Sequence, residues 1–456
     1  PYECTGASTR TQYDVFPLDG VDPARMKHKE NGNHADNLFY QMRQDGDNKW
    51  LFICHVDKPR NEAIAWNERW DIKIKGEYQA VCYDTMDGKI YPVKAAIKDG
   101  NTIIHHIASL HDSLLLKLLA IENSKKADSV NAVDNVVKEE VFKIPQNQKN
   151  LPEPFQYRLE EHNSLLLDMA QYAFDEEEWQ EREELLRIDN LFREKLHYPL
   201  RMEALAQPWT EKDEQKSEHV LKLRFHIYSE VEMNEVELAM EHPETAEICW
   251  NGEALEYIDS GFYVDESIRT CKLKKLQKGE NTLFVKIPFG RKTNVEWMYL
   301  LGEFGVKTIG KYGIITNLPA RLCYGDITTQ NLAFYGGSLE YKNKVSTEAG
   351  IMNLEVSHYK GALLEVFLDG ENKGSLFMAP YRKNLGKVEK GEHEITIKVY
   401  GNRSNTFGVV HNADRTESWY GPNLWRTTGN KWSYEYQLEQ MGVLATPVYW
   451  IEEGTD

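Results

Sequence analysis

The sequence predicts a mainly β protein, built from antiparallel β-sandwich modules with one short helical section. Apolar and polar residues alternate along several segments, as in HVLKLRFHIY from His219 to Tyr228, and this period of two is typical of a strand with one buried face. Two-residue turns that contain glycine, such as Asp99-Gly100, separate many of these segments and favour β-hairpins. One strand pattern also occurs twice in the second half of the chain, which indicates two related sandwiches.

Length and charge limit the classes of function. The chain has 456 residues, enough for about three domains. The formal net charge of −18 opposes binding to the phosphates of nucleic acids, which depends on clustered Lys and Arg. No apolar run approaches the roughly 20 residues that a membrane-spanning helix needs. We therefore expect neither a nucleic-acid partner nor a membrane partner.

The cysteines and the first residues give two further expectations. Six cysteines lie far apart without CxxC spacing, which favours buried thiols over zinc sites or a disulfide scaffold. The sequence opens at Pro1 without an initiator Met or the apolar region of a signal peptide. We therefore expect Pro1 to mark a truncation or a cleavage, and the sequence does not indicate whether the protein is secreted or cytoplasmic.

The first half of the chain divides into three parts. A polar lead-in covers residues 1–36, and residues 37–120 form a small all-β domain with turns at Gly46-Asp47, Asp87-Gly88 and Asp99-Gly100. Residues 121–204 are a linker and the helical section, because the polar stretch near Pro152 and Pro154 is followed by two apolar stripes at helical spacing. The stripes predict two helices, and they consist of Leu165, Leu166, Met169 and Ala173, and of Leu185, Ile188, Phe192 and Leu196.

The acidic segment DEEEWQEREE, residues 175–184, lies between these two stripes. We interpret it as a solvated helix face with acidic residues in the first turn, which the helix dipole favours. A metal site is the weaker alternative.

The repeat predicts the two remaining domains, residues 205–325 and 326–456. Its first copy has a strand, the turn Asn251-Gly252 and then a Lys-Gly-Glu motif at Lys278 that leads into a final strand. Its second copy has the turn Asp369-Gly370 and the same motif at Lys390. Two sandwiches of one type are the simplest explanation.

The repeated pattern resembles the galactose-binding-like jelly roll of large glycoside hydrolases. The segment NRSNTFGVVHN, residues 402–412, and the segment YLLGEFGV, residues 299–306, are similar to parts of bacterial enzymes related to the α-L-rhamnosidases that follow the catalytic barrel. LFYQMRQDGDNKWLFICHVDKP in the first domain also resembles the β-domain after such a barrel. The resemblance covers the chain from about Asn37 to its end.

The resemblance implies an upstream catalytic barrel in the same polypeptide, carrying the general acid and the general base. The eightfold alternation of strand and helix that such a barrel requires is absent from this sequence. Spacing alone selects no pair among the 72 acidic residues, so no catalytic residue is predicted.

The candidate ligand-binding residues lie in aromatic loops. Flat rings stack on the apolar faces of sugars, while amide, guanidinium and carboxylate groups bind the hydroxyls. The alternative is that these rings fill the cores of the sandwiches. The candidates for carbohydrate binding are Trp419, Tyr420, Trp425, Arg426, His411, Asn412, Trp250 and Tyr263. For His411 and Asn412 the alternative is a structural hydrogen bond within the loop.

No cofactor and no metal are predicted. His105 and His106 are adjacent on a strand and therefore face opposite sides, so they do not converge on one ion, with or without His111. A structural Ca²⁺ held by Asp265 or Asp369 lacks a sequence signature.

These observations predict a non-catalytic accessory and carbohydrate-binding region of a bacterial glycoside hydrolase that acts on plant or microbial glycans. Two alternatives stay open. In the first, the chain is a stand-alone glycan-binding protein. In the second, it is a glycosidase whose active site lies between its β-sandwich and helical sections.

Overall fold

The computed structural model describes residues 25–28, 37–56, 68–86, 88–109, 111–121, 145, 147–201, 217–414, 416 and 421–453. Within these ranges the chain is mainly β, as predicted, with antiparallel sheets and the helices α1 (Leu185–Lys195) and α2 (Ser404–Phe407). Of the predicted polar lead-in, only residues 25–28 fall within the described ranges. No helix in the described part of the chain has the length and apolar character needed to span a membrane.

Two facing sheets form the first unit. Their strand orders are β1-β4-β8-β7 and β2-β3-β9-β5-β6, and their inner faces share a core that includes Leu51, Ile72 and Leu116. The turn at Asp99-Gly100 is a hairpin turn as expected, with φ values of 52° and 70°. The strands are β1 (Arg25–His28), β2 (Leu38–Asp45), β3 (Asn48–His55), β4 (Glu68–Lys75), β5 (Tyr78–Tyr83), β6 (Ile90–Val93), β7 (Ala95–Lys98), β8 (Asn101–Ala108) and β9 (Ser113–Ala120).

The middle of the chain contains two strands that belong to a later sandwich, followed by the strands of a complete one. In order they are β10 (Lys149–Asn150), β11 (Gln156–Leu159), β12 (Asn163–Leu167), β13 (Met169–Phe174), β14 (Gln180–Glu184), β15 (His219–Ser229), β16 (Val236–Glu241), β17 (Glu247–Trp250), β18 (Glu253–Leu255), β19 (Asp259–Tyr263), β20 (Asp265–Leu273), β21 (Gly279–Phe289), β22 (Met298–Gly302), β23 (Gly305–Ile309) and β24 (Tyr312–Thr316).

The last part of the chain completes the second sandwich. Its strands are β25 (Leu339–Thr347), β26 (Gly350–Glu355), β27 (Tyr359–Lys360), β28 (Leu363–Leu368), β29 (Glu371–Leu376), β30 (Arg382–Val388), β31 (Gly391–Tyr400), β32 (Gly442–Val443) and β33 (Val448–Glu452).

Strand pairing interleaves the two sandwiches along the sequence. The first combines the sheet β12-β22-β16-β20-β19 with a sheet that contains β14-β13-β15-β21-β17-β18. The second combines β10-β33-β26-β30 with β11-β25-β31-β28-β29. Because β10 and β11 precede β12, the first sandwich is inserted in the sequence of the second. The predicted linker and helical section, residues 121–204, therefore supplies strands to both sandwiches, and the predicted boundary at residue 205 falls after β12 to β14.

The first of the two predicted helices is wrong. Leu165, Leu166, Met169 and Ala173 lie in β12 and β13, and the acidic segment that follows ends in β14 and not in a helix. All five residues of β12 are buried, and a short buried strand has an apolar run that helical spacing also fits. The second helix is confirmed as α1, which buries Leu185, Ile188 and Phe192 in the first sandwich.

The internal repeat is confirmed by equivalent strand pairs. β21 pairs with β15 and β17, and β31 pairs with β25 and β28. Asn251 and Asp369 both have a φ of 50° and both precede a glycine with positive φ. Each side chain accepts a backbone hydrogen bond of 2.8 Å from the final strand, Asn251 from Thr282 and Asp369 from Glu394. One turn chemistry therefore fixes the same register in both sandwiches.

Candidate functional site

A cleft of about 420 Å³ opens at one end of the first sandwich. It lies between the turn after β16 and the loop that joins β21 to β22. Pro243 starts a single 3₁₀ turn after β16, and the Thr293 hydroxyl accepts a 2.9 Å hydrogen bond from the Gly290 amide in the opposite loop. These local structures fix the conformation of each wall of the cleft.

Two carboxyl groups line this cleft, those of Glu241 and Glu296. The Asn294 amide donates a 2.9 Å hydrogen bond to Oε2 of Glu241. No described residue hydrogen-bonds to the Glu296 carboxyl. Burial raises the pKa of Glu296 to about 7, and the nearby charge of Glu241 acts in the same direction, while Arg426 and Arg201 oppose the shift. Glu296 therefore exchanges its proton near neutral pH.

A buried layer of charged residues supports the loop of the cleft from behind. Nε of Arg193 lies 3.0 Å from both carboxylate oxygens of Asp189 on α1, and neither residue is more than 2% exposed. Arg193 also donates to the carbonyls of Arg291 and Thr293 at 3.0 and 2.6 Å. Arg201 donates to the Thr293 carbonyl at 2.8 Å. The helix thereby positions the loop that carries Glu296.

Arg426 is the predicted ligand-binding residue whose charge acts on this cleft, although it does not line it. Burial raises the pKa values of both Glu296 and Asp189, and the positive charge of Arg426 opposes both shifts. Its Nε atom is buried and has no hydrogen-bond acceptor within the described ranges. A buried donor without a partner costs about 1 to 3 kcal/mol, so a water or ligand oxygen at this position would be stabilising.

A second network of buried polar groups lies in the same sandwich. Nε2 of His411 contacts Oδ2 of Asp168 at 2.6 Å, and the Tyr436 hydroxyl donates to Oδ1 of Asp168 at 2.8 Å. The His411 ring also packs against Trp432, with centroids 4.8 Å apart. This network attaches the aromatic C-terminal loop to the junction between β12 and β13.

Glu184 connects the two networks. It caps α1 by accepting hydrogen bonds of 3.0 Å from the amides of Leu186 and Arg187, and it accepts a 2.6 Å bond from Nε1 of Trp297. Burial raises the pKa of Glu184 to about 7, against the effect of these hydrogen bonds. Because Trp297 follows Glu296 in the chain, the cap of α1 and the wall of the cleft share one segment.

Among the described residues predicted from the aromatic loop, Trp425, His411 and Asn412 do not line the cleft. Trp419 and Tyr420 lie outside the described residues. Trp425 is half-buried, donates to the Phe407 carbonyl at 3.0 Å and packs against the core of the first sandwich. His411 and Asn412 are each 3% exposed, and Asn412 closes its loop through hydrogen bonds with Asp414 of 3.1 and 3.2 Å.

Trp250 and Tyr263 lie in the core of the first sandwich. Trp250 is 2% exposed and donates to the Lys275 carbonyl at 3.2 Å, and Tyr263 is 6% exposed and packs against Tyr299. Neither ring offers a face to a ligand in this structure. At Trp250 and Tyr263, the rings therefore fill the core of the sandwich, which was the alternative to carbohydrate binding.

No group of three metal-ligating side chains occurs in the described part of the chain. His105 contacts Asp71 and His106 contacts Asp112, so the adjacent histidines face different partners. Asp265 accepts hydrogen bonds from Ser267, and Asp369 holds the turn described above.

Sequence reasoning missed Glu241, Asn294 and Glu296. The only signal was the polar stretch GRKTNVE between two apolar strands, residues 290–296. Neither its closeness to Arg201 and Arg426 nor the burial of Glu296 can be read from that stretch, because the contacting residues are far away in the chain.

The cleft combines hydrogen-bond acceptors, donors and apolar surface. Its carboxyl groups can bind hydroxyl groups, and Met240, Ile287 and Val295 supply apolar walls. A carboxyl group that titrates near pH 7 can also donate a proton.

No protein-family model matches the sequence, and no curated protein matches it. Among solved structures, the chain is similar to a rhamnosidase from Novosphingobium sp. PP1Y, with 11% identity and a TM-score of 0.37 over 94% of this chain and 25% of that one. It is similar to the Streptomyces avermitilis α-L-rhamnosidase complexed with L-rhamnose, with 10% identity and a TM-score of 0.25 over 90% of this chain and 39% of the other.

A GH2 β-galacturonidase from Eisenbergiella tayi has 9% identity and a TM-score of 0.19, over 54% of this chain and 37% of that one. The chain thus spans between 25% and 39% of the length of these three structures. TM-scores below 0.5 do not establish a shared fold.

Proposed function

We propose that this chain is a non-catalytic accessory region of a bacterial glycoside hydrolase, and that the cleft beside Glu296 is its carbohydrate-binding site. The observation that carries the binding proposal is the cleft itself, whose lining includes the carboxyl groups of Glu241 and Glu296, with the charge of Arg426 acting on Glu296. The hydrolase assignment is supported by the sequence resemblance to the regions that follow the barrel of the α-L-rhamnosidases. In this proposal the two sandwiches are galactose-binding-like jelly rolls.

The chemistry of the cleft fits a sugar. Each hydroxyl of a sugar both donates and accepts. The cleft offers acceptors on Glu241 and Glu296, and the positive charge of Arg426 acts on Glu296 from outside the lining. The apolar walls at Met240 and Ile287 suit the C–H faces of a sugar ring. A volume of about 420 Å³ lies within the range of roughly 300 to 1,000 Å³ that is usual for small-molecule sites.

The interleaved sandwiches suit a bracing role. The strands of the first sandwich lie between β11 and β25 of the second in sequence, so two chain connections join the two sandwiches instead of one. In this proposal they brace an upstream catalytic barrel of the same polypeptide, which acts on plant or microbial glycans.

Calorimetric titration with a panel of monosaccharides tests the binding site. The panel contains L-rhamnose, D-galactose, D-xylose and D-glucuronic acid. We expect saturable binding of at least one sugar, weakened about tenfold or more in Glu296→Gln and in Arg426→Ala, because a hydrogen bond to a charged group is worth roughly 1.5 to 3 kcal/mol.

Glu371→Gln is the matched control, because Glu371 is an exposed carboxylate of the second sandwich, with a side-chain exposure of 75%. It should leave the affinity unchanged. If no sugar of the panel binds, or if the control weakens binding as much as Glu296→Gln does, the proposed site is wrong.

One observation favours a second candidate function, a glycosidase with its active site in this cleft. Glycoside hydrolases generally use two carboxyl groups, of which one is a general acid with a raised pKa. Glu241 and Glu296 line one cleft, and the pKa of Glu296 is raised to about 7. Helix α1, which supports the cleft through Arg193, belongs to the predicted helical section.

Hydrolysis of 4-nitrophenyl glycosides separates the two candidates. The accessory role predicts no release of 4-nitrophenol above the uncatalysed rate by the purified chain. Release that is lost in both Glu241→Gln and Glu296→Gln, but retained in Glu371→Gln, would establish the enzyme and overturn the non-catalytic proposal.

A further inference from the structure

The outer face of the large sheet in the first sandwich carries a row of aromatic and polar side chains. Arg224, His226 and Tyr228 alternate outward along β15, while Leu223, Phe225 and Ile227 point into the core. Phe284 on β21 lies directly opposite Arg224. This face is separate from the cleft, since none of these residues lines the cleft.

Trp179 extends this row from the acidic loop between β13 and β14. The Arg224 guanidinium lies 4.0 Å from the centre of the Trp179 ring, and Phe284 meets the same ring edge-on at 6.1 Å. Arg224 and Phe284 therefore hold the indole against this face of the sheet. The ring is half-buried, so part of its surface stays accessible.

Polar groups fill the space between the rings. His226 bridges Glu280 and Gln171, with contacts of 2.5 and 3.0 Å, and its side chain is 42% exposed. Tyr228 is 57% exposed at the far end of the row. From Arg224 to Tyr228 the strand extends about 13 Å, so the row is longer than a single sugar ring.

The second sandwich shows that the fold does not require these rings. Thr396 on β31 is equivalent to Phe284 on β21, because each lies five residues after the glycine that begins its strand. Thr396 pairs with Lys342, as Phe284 pairs with Arg224. Ser346 on β25 is equivalent to Tyr228 on β15, because each pairs with the second residue of the neighbouring strand, Glu392 and Glu280 respectively. Two equivalent sheets therefore differ in the aromatic content of their outer faces.

Acidic and basic side chains are mixed on this face. Lys286 pairs with Glu247 at 2.7 Å and Lys222 with Glu176 at 3.6 Å, while Arg224 and Glu280 add one further charge of each sign. Such a surface attracts neither a strongly acidic nor a strongly basic partner. Rings alternating with paired polar groups match a neutral chain of sugars, which presents C–H faces and hydroxyls in turn.

We propose that the platform of Trp179, Arg224, Phe284, His226 and Tyr228 is a second carbohydrate site that binds a neutral polysaccharide chain along β15. It rests on the proposed carbohydrate-binding function, to which it adds the length and charge of the ligand. The cleft binds one sugar, whereas the platform holds consecutive sugars of a polymer.

Affinity gel electrophoresis tests the platform with three neutral polymers, xyloglucan, galactomannan and arabinoxylan, and with polygalacturonate as an acidic polymer. We expect at least one neutral polymer to retard the protein, and Trp179→Ala and Tyr228→Ala each to reduce that retardation at least threefold. Polygalacturonate should not retard it. Phe377→Ala, which removes a ring 51% exposed on the second sandwich, is the control and should migrate like the wild type.

The proposals for the platform and for the cleft can be disproved independently. The platform is overturned if no neutral polymer retards the protein, if polygalacturonate retards it more strongly than the neutral polymers, or if the Trp179 and Tyr228 variants are retarded like the wild type. Glu296→Gln should keep the retardation, because Glu296 lines the cleft and no residue of the platform does. Loss of monosaccharide binding in that variant with retained polymer retardation therefore separates the cleft from the platform.

Discussion

Nε2 of His411 lies 2.6 Å from Oδ2 of Asp168, and both side chains are buried. The other ring nitrogen, Nδ1, lies 2.8 Å from the Ser433 carbonyl oxygen. Both nitrogens therefore face acceptors, which requires a proton on each of them. His411 is thus a buried imidazolium whose pKa is raised, since the hydrogen bond and the charge of Asp168, with the charge of Glu184, outweigh its burial.

The protein should be less stable at pH 8 than at pH 5. The pKa of His411 is raised above 6.5, so the stability that its charged form contributes is fully present below 6.5 and is lost as the pH rises through the raised value. Glu184 and Glu296 hold protons up to about pH 7 in the folded state, instead of 4.5. The folded state therefore binds more protons across this range, and stability falls with rising pH.

Urea denaturation at pH 5, 6, 7 and 8 measures this trend. Carboxyl groups with lowered pKa values, such as Asp414 and Glu340, titrate below about pH 4.5, so they do not change the stability between pH 5 and pH 8. In His411→Gln the decline between pH 6.5 and 8 should be shallower. A free energy of unfolding that rises from pH 5 to pH 8 would contradict the assignment of these protons.

Replacing the cap of α1 should be costly. Glu184→Ala leaves the amides of Leu186 and Arg187 and the indole N–H of Trp297 without their acceptor. Loss of a cap and of buried acceptors together should lower the free energy of unfolding by about 2 to 5 kcal/mol. Glu181→Ala, on the exposed side of the same strand, should change it by less than about 0.5 kcal/mol. Equal effects in the two variants would refute the capping role, and chemical denaturation measures both.

Breaking the buried ion pair under the cleft should destabilise the protein more than removing it entirely. Arg193→Met leaves the Asp189 carboxylate buried with weaker compensation, at a cost of about 3 to 5 kcal/mol. The double variant Asp189→Leu with Arg193→Met should be more stable than Arg193→Met alone. Denaturation of the wild type, Asp189→Leu, Arg193→Met and the double variant measures the coupling, and simple additivity of the two changes would contradict it.

The turn at Asp369 should control the protonation of His393. Oδ2 of Asp369 lies 2.6 Å from Nδ1 of His393, and this hydrogen bond, with that to the Glu389 carbonyl, raises the pKa of His393. Asp369→Asn should lower that pKa toward 6.5 while the turn persists, because Asn keeps the acceptor for the Glu394 amide. NMR titration of the histidine ring protons measures the shift. An unchanged pKa of His393 would show that Asp369 is not its main partner.

The turns of the two sandwiches were predictable because their signals are local. The Asn251-Gly252 and Asp369-Gly370 pairs need only their own backbone preferences to form hairpin turns, and alternation placed Leu283 and Ile395 on inner faces, where both are fully buried. The interleaving of the sandwiches was not predictable, because the pairing of β10 with β33 joins residues about three hundred positions apart.

The error at Leu165 to Ala173 has a related cause. A run of leucines fits a helix and a fully buried strand equally well, and only the pairing of β12 with β22 decides between them. Glu296 was missed for the same kind of reason. Its pKa depends on burial and on Glu241, Arg426 and Arg201, which are distant in sequence or unmarked by any motif.

A crystal structure of the chain with a sugar that binds in the titration panel shows directly whether the cleft is the binding site. We expect hydroxyl oxygens of the sugar within hydrogen-bond distance of the Glu296 carboxyl and of Nε of Arg426. A sugar bound elsewhere on the first sandwich, with the cleft beside Glu296 empty, would contradict this expectation.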